Sequence, residues 1–437
     1  MNLRILKSGT PALKRFLAAM LARRDGADSA RMDAAVAEII AGVRKRGDRA
    51  LIEYTERFDR VKLTPKRLRV TARELKEALD ALPREERAAL ELAARRITAF
   101  HRRTLEKPFS YRDELGVRLG QAIRALDRVG IYVPGGMGAY PSSVLMNAIP
   151  AKVAGVREIV MVSPPSEHGE RPALMAAAAI AGVDEVYRVG GAQAVAALAY
   201  GTATIRPVDK IAGPGNAWVQ AAKRMVYGVC DIDKIAGPSE VLVVADDSAR
   251  PDWVAADLIA QAEHGSGDEA AVMVTPSARI AEAVARELAL ALEDLPRAES
   301  VKTVLARRGA LVVVKDLEEA FEIVNRIGPE HLELEIRNPA RWVSRVKAAG
   351  AVFLGGESPA AFGDYLAGPN HVLPTGGSAR FASPLGSYDF LKRTSIIQSS
   401  GQALKKLGPT VARLARMEGF EGHARAIEAR EGARRKN

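Results

Sequence analysis

Disulfides are the first thing this 437-residue chain lacks. Cys230 is its only cysteine, which excludes an intrachain bridge and makes a reducing cytoplasm the expected location. Aromatic residues make up only 5% of the chain. No basic stretch interleaves with them, as a single-strand nucleic-acid binder would need. The net charge of +11 is spread over segments such as Arg44-Lys-Arg46, Arg102-Arg103 and Arg434-Arg-Lys436. It reads as a generally basic surface that favours anionic ligands, so no nucleic-acid partner is expected. No apolar run approaches the roughly 20 residues needed to span a bilayer. Met1-Asn-Leu-Arg-Ile-Leu-Lys-Ser-Gly9 lacks the apolar core of a signal peptide, and no membrane partner is expected. A full dinucleotide fingerprint is missing too. Gly213-Pro-Gly-Asn-Ala-Trp218 and Gly136-Met-Gly-Ala-Tyr140 supply the first half of G-x-G-x-x-G without its last glycine, so any dinucleotide must bind in a non-standard way.

What is present is ordinary for a globular protein: 48% hydrophobic and 27% charged residues, in a length that suits two or three domains. Residues 1–107 read as helical, with Val36, Ile39, Ile40 and Val43 at helical spacing. A short hairpin is expected within 108–124. From Val129 onward apolar strands and helices alternate, which predicts an α/β fold with parallel strands and crossover helices. The expected elements include strands at 158–163, 185–189, 241–245, 270–274, 310–314 and 351–354, and helices at 143–155, 172–181, 192–200, 217–227, 279–295 and 317–326. Beyond about residue 385 the chain is expected to be polar and helical.

Val208-Asp-Lys-Ile-Ala-Gly-Pro-Gly-Asn216 is echoed by Ile232-Asp-Lys-Ile-Ala-Gly-Pro-Ser-Glu240. The echo is either a turn used twice or a pair of strand ends presenting Asn216 and Ser239 to a crevice of the kind in which open sheets bind ligands. Pro251 and Asp252 suit a first helical turn, and the helix they open is expected to end with Gln261 and His264 on one face. That pair is either a solvated helix end or half of a metal site. Glu330-His331 is either an acid/base pair or a strand-edge carboxylate beside a satisfied imidazole. His101 and His168 lie among charged residues and read as surface. Cys230 has an acidic neighbour that disfavours the thiolate, and it reads as structural.

Ten motifs occur in order: Val129-Gly-Ile-Tyr-Val-Pro-Gly-Gly136, Tyr140-Pro-Ser-Ser-Val-Leu-Met146, Val189-Gly-Gly-Ala-Gln-Ala194, Ala212-Gly-Pro-Gly-Asn216, Ala236-Gly-Pro-Ser-Glu240, Gln261-Ala-Glu-His264, Gly328-Pro-Glu-His-Leu-Glu333, Gly363-Asp-Tyr365, Ala367-Gly-Pro-Asn-His-Val-Leu-Pro-Thr-Gly-Gly377 and Ser383-Pro-Leu-Gly-Ser-Tyr-Asp-Phe390. Together they closely resemble the histidinol dehydrogenase family over nearly the full length. The resemblance implies an NAD-dependent, zinc-dependent four-electron oxidation of L-histidinol through L-histidinal to L-histidine, in histidine biosynthesis. It implies zinc ligands at Gln261, His264, Asp364 and His423, one ion per subunit, and an acid/base pair at Glu330 and His331. Ser239, Glu418 and the metal ligands would line the substrate site with His331, and His371 would lie close by. Tyr132, Gln193 and Asn216 match NAD-contacting positions.

The implied fold has two incomplete Rossmann-like α/β domains with parallel-sheet character, of aldehyde-dehydrogenase-like type, plus small helical terminal extensions. The expected division is an N-terminal extension over 1–28, a discontinuous α/β domain of 29–128 with 241–385, a Rossmann-like NAD-binding domain over 129–240, and a helical extension over 386–437. The last would be exchanged within a homodimer, giving composite active sites. A related zinc-dependent dehydrogenase acting on another polar alcohol is the alternative within the same class, and a non-catalytic ligand- or nucleic-acid-binding protein is the alternative outside it.

Overall fold

Short runs of Val, Ile, Leu and Ala, buried along most of their length, make the central strands of two mainly parallel sheets. Glu240–Ala245 and Ala270–Thr275 are buried at every position, as expected of strands covered by helices on both faces. A computed structural model of the chain describes residues 3–22, 29–135, 140–166, 172–264 and 267–432. His168 and residues 136–139 of the glycine loop lie outside these. The chain divides into two units, Met1–Thr104 with Leu126–Phe390, and Leu105–Ala125 with Leu391–Asn437.

In the larger unit the first sheet runs edge to edge through Arg69–Val70, Glu185–Arg188, Glu158–Ser163, Arg128–Tyr132, Lys210–Ala212 and Asp231–Ile232. Arg69–Val70 is antiparallel and the rest are parallel. The second sheet runs through Ile5–Lys7, Gly309–Val313, Ala270–Thr275, Glu240–Ala245, His331–Glu335 and Ala351–Leu354, all parallel. Setting aside the short edge strand of each, both sheets share the chain order 3-2-1-4-5, so each reverses direction beside its first strand.

Alternate side chains of one strand serve opposite cores, as the period of two requires. Leu242 and Val244 pack with Leu13, Phe16 and Phe321. Val241 and Val243 pack with Val254, Leu258 and Ile280. Val254 and Leu258 belong to the Pro251–Ala262 helix, which opens on proline with Asp252 in its first turn.

Several elements match their expected bounds, including Glu158–Ser163, Pro172–Ala181 and Ala351–Leu354. Others do not. Val36, Ile39, Ile40 and Val43 pack with Val195, Leu198 and Ile211, and Arg69–Val70 joins the first sheet. These residues from within 29–104 therefore pack with the 129–232 segment rather than with 241–385. Ile5–Lys7 is an edge strand of the second sheet, so the chain start is integrated into that sheet rather than appended to it. His101 is buried, not at the surface: Ala93, Ile97 and His101 form the inward stripe, at spacing four, of the Arg84–Arg103 helix. Neither of its ring nitrogens has a hydrogen-bond partner among the described residues. Burial pushes its pKa down to about 4.

The second unit is a three-stranded antiparallel sheet, Leu391–Gln398, Arg118–Ala125 and Phe109–Arg112 in that order, with helices Gly401–Met417 and Glu421–Gly432. The hairpin turn is held by Asp113 Oδ1, which accepts from the backbone N–H groups of Leu115 and Val117 at 2.9 and 2.8 Å. The 386–437 segment is thus not purely helical. Leu391–Gln398 takes its backbone partners from Arg118–Ala125, a long-range pairing that overrides the weak strand signal of Lys392-Arg-Thr-Ser395. No helix among the described residues is long and apolar enough to cross a membrane.

Candidate active site

The Leu317–Ile327 helix ends at Gly328, in the left-handed region at φ 61°, with its N–H bonded back to Val324. That stop turns the chain through Pro329 and Glu330 into the His331–Glu335 strand. His331 is in register with Val241, which sets Glu330 beside the start of the Glu240–Ala245 strand. Ser239 Oγ donates to Glu330 Oε2, and the Glu240 N–H donates to the same oxygen at 3.0 Å. His331 Nδ1 lies 3.2 Å from the Glu240 carbonyl and 3.7 Å from Glu330 Oε2. On its other side His331 Nε2 is 3.5 Å from Asp364 Oδ1. Asp364 stands on the short Ala360–Tyr365 helix.

Two more imidazoles face this cluster through their field. His371 Nδ1 is 2.9 Å from the Asp364 carbonyl, and His264 Nδ1 is 3.1 Å from the Gln261 carbonyl. A carbonyl only accepts, so Nδ1 carries the proton in each, and a neutral ring keeps Nε2 as a free lone pair. The carboxyl of Asp364 is held below the usual range. Burial opposes this, but the close approach of the His331 imidazole outweighs it, with His371 and His264 adding to the effect only when protonated. Burial pushes Glu330 up, against the pull of His331, Ser239 and the Glu240 amide. Burial alone would lower His331, but Glu330 and Asp364 raise it to about 9. Burial lowers His371.

His264 lies just past the helix end rather than within it. The helix stops at Ala262 and is capped by Glu263, yet the contact of His264 with the Gln261 carbonyl keeps the two residues together. Gln261 is buried, and its Nε2 has no partner among the described residues.

Tyr132, Gln193 and Asn216 gather around the first sheet. Tyr132 ends its strand, and its hydroxyl accepts from the Gly191 N–H at 3.0 Å. Burial pushes that hydroxyl up to about 12. Gln193, two residues past Gly191, is buried with Oε1 unpartnered among the described residues. Asn216 caps the Ala217–Val226 helix, accepting from Val219 N–H at 3.1 Å. Between them Gly213 has φ 113°, and a Cβ there would lie 2.2 Å from the Tyr132 carbonyl oxygen, so only glycine fits. Glu418 and His423 belong to the second unit. Glu418 follows the Gly401–Met417 helix as its cap, His423 lies on the next helix, and both are exposed. Cys230 is buried, and burial with the charges of Asp231 and Asp209 pushes its thiol up to about 12. That agrees with the structural reading.

One cluster was not foreseen. Asp257, Glu333 and Glu335 place carboxylate oxygens within 4.8 Å of one another. Burial, with mutual repulsion, pushes the carboxyls of Glu333 and Glu335 up. Burial also raises Asp257. Glu333 Oε1 accepts the Ala360 N–H at 2.7 Å, holding the start of the helix that carries Asp364. The signal was available: in His331-Leu-Glu-Leu-Glu335 a period of two puts His331, Glu333 and Glu335 on one face, once the segment is read as a strand.

Two sheets wound in the same order, one with a buried carboxylate–imidazole pair beside its first strand and the other with a glycine turn at its strands' carboxyl ends, are the features of an α/β enzyme with a candidate acid/base site. The family model for histidinol dehydrogenase matches residues 22–431. The chain belongs to the histidinol dehydrogenase family and is an oxidoreductase. It is 51% identical to a histidinol dehydrogenase of Nitrosospira multiformis over 98% of this chain and 97% of that one. It is 52% identical to one of Aromatoleum aromaticum, over 98% of each. The crystal structure of histidinol dehydrogenase from Elizabethkingia anophelis is similar, with a TM-score of 0.87, 35% identity, and coverage of 91% of this chain and 92% of that one.

Proposed function

We propose that this chain oxidises L-histidinol through L-histidinal to L-histidine, with NAD as electron acceptor and one zinc ion per subunit, as a cytoplasmic homodimer in histidine biosynthesis. The observation that carries the reading is the buried pair Glu330–His331 with Asp364 against the imidazole. Gln261, His264 and Asp364 fit a zinc ion. Their donors are nitrogen and oxygen, the Gln261 amide is buried with its Nε2 unpartnered among the described residues, and the His264 tautomer keeps Nε2 free. His423 would complete the set. Bound zinc would fix the substrate through its imidazole and amine. For NAD, the unpartnered Oε1 of Gln193, the Tyr132 strand end and the Asn216-capped helix offer a polar cradle at the carboxyl ends of the strands. Bound NAD would accept the hydride in both oxidations.

His331 takes the alcohol proton. With zinc held at Asp364, one of the two carboxylates that keep His331 protonated would be neutralised, and the imidazole would then return toward a proton-accepting range. Glu330, held by Ser239 and the Glu240 amide, activates the water that hydrates the aldehyde. Ser239 and His371 line the site, with Glu418 reaching the substrate. The homodimer is supported by apolar side chains exposed on the second unit, among them Ile397 at 74% and Met417 at 77%. Exchange of that unit would bring Glu418 and His423 to a partner's site. The test is NADH formation on adding L-histidinol, with and without a chelator, followed by zinc add-back. An inert protein, or activity indifferent to chelation and add-back, overturns the reading. A panel of other polar alcohols checks the substrate.

A further inference from the structure

The echoed motif has a structural use in which the two copies differ. The first copy runs into the Lys210–Ala212 strand and the Gly213 turn. The second is the connector that leaves the first sheet after Asp231–Ile232 and enters the second at Glu240. Asp233 of the second copy reaches back to the first. Its Oδ2 accepts the Gly213 N–H at 2.9 Å, and its Oδ1 pairs with Lys223 Nζ. Lys223 Nζ also donates to the Gly213 carbonyl at 2.9 Å. One ion pair, with side chains 0% and 1% exposed, therefore holds both polar groups of Gly213. The connector is fastened again at Ala236, whose N–H donates to Gln220 Oε1 at 3.0 Å, and at Gly237, whose N–H donates to Thr375 Oγ1. It ends with Ser239 on Glu330.

A fully buried ion pair is no more stabilising than apolar side chains of similar volume. Its use here lies in where its hydrogen bonds go. We infer that Lys223 and Asp233 are positioning residues that fix the Gly213–Asn216 turn in the geometry that receives the nicotinamide cofactor. The inference rests on the reading that this turn contacts NAD. Lys223→Met/Asp233→Leu removes both bonds to Gly213 while filling the space. In the full-length dimer this variant should keep its zinc content, while the two Gly213 backbone groups left unpaired lower its melting temperature without unfolding it. Its KM for NAD should rise roughly tenfold or more, as displacement of a positioning group does, with the KM for histidinol unchanged. Amide hydrogen exchange over residues 213–218 should accelerate while exchange over 241–245 does not. If the double variant does not fold, Asp233→Asn, which keeps an acceptor for Gly213 but removes the counter-charge of Lys223, should show the same split to a smaller degree. A folded variant with an unchanged KM for NAD, or with both KM values raised alike, overturns the inference. So does unchanged exchange at 213–218, a measurement that stands even where wild-type protein forms no NADH from histidinol and the functional reading itself has failed.

Discussion

At the scale of single residues, Glu330 and His331 are neighbours in sequence with different surroundings, and the difference predicts separable roles. Glu330 is fixed by two donors and faces inward, while His331 bridges the Glu240 carbonyl and Asp364. Glu330→Gln should slow oxidation of L-histidinal by roughly 10²–10⁴-fold, the usual span for lost general base catalysis, and slow the alcohol step much less. Single-turnover measurements started from alcohol and from aldehyde test this, and equal loss in both would remove the division of roles. His264→Asn should lower zinc content and histidinol affinity together and leave NAD affinity alone. Full zinc occupancy with normal histidinol affinity would take His264 out of the ligand set. His101 is not among the candidate site residues, and its expected effect is on acid stability. Its pKa is about 4 in the fold against an ordinary 6.5, so folding favours the neutral ring. The stability tied to that preference is fully present above pH 6.5 and is lost as pH falls toward 4, by about 3 kcal/mol at most. His101→Leu should therefore flatten the fall in unfolding free energy between pH 6.5 and 4 in urea titrations. An unchanged slope would place the acid sensitivity elsewhere.

At the scale of elements, what was legible in the sequence divides along physical lines. Strands buried on both faces announce themselves as short β-branched runs, and Glu158–Ser163 and Ala270–Thr275 fall within a residue of where they are expected. His331–Glu335 does not, because a strand reading His-Leu-Glu-Leu-Glu looks half-solvated while every position is buried. Burial and mutual repulsion raise the carboxyls of Glu333 and Glu335 toward their neutral forms, which composition cannot reveal. Leu391–Gln398 was hidden for the opposite reason: it is polar, and only its partner strand makes it extended. The candidate site residues were named through motif resemblance. Their spacing alone could not bring together Gln261, Glu330 and Asp364, which sit on three segments. Glu333 supplies one of the ties. Because its carboxyl holds the first N–H of the Ala360–Tyr365 helix, Glu333→Leu should loosen the helix that presents Asp364. Zinc affinity should fall roughly 10–100-fold, as for lost outer-shell partners. Competition with a chelating dye measures this. Unchanged affinity in a folded variant would make the bond merely structural.

At the scale of the whole molecule, the two sheets present their candidate groups at opposite strand ends. The first offers its glycine turn at the carboxyl ends of its strands, where open sheets bind ligands, whereas the second places Glu330 and His331 at amino ends. Glu418 and His423 belong to neither sheet. They lie exposed on a second unit that is small for an independent core and carries exposed Phe109, Ile397, Leu414 and Met417. A partner subunit would cover such a surface and gain the two residues. We therefore expect each site to draw Gln261, His264 and Asp364 from one chain and Glu418 and His423 from the other. Mixing two inactive variants, His264→Ala and His423→Ala, and allowing subunits to exchange tests this without a structure of the dimer. In a shared-site heterodimer one site collects both defects and the other collects none, so activity should return toward half of wild type per mixed dimer. If each chain completed its own site, every site in the heterodimer would keep one defect, and verified mixed dimers would stay inactive.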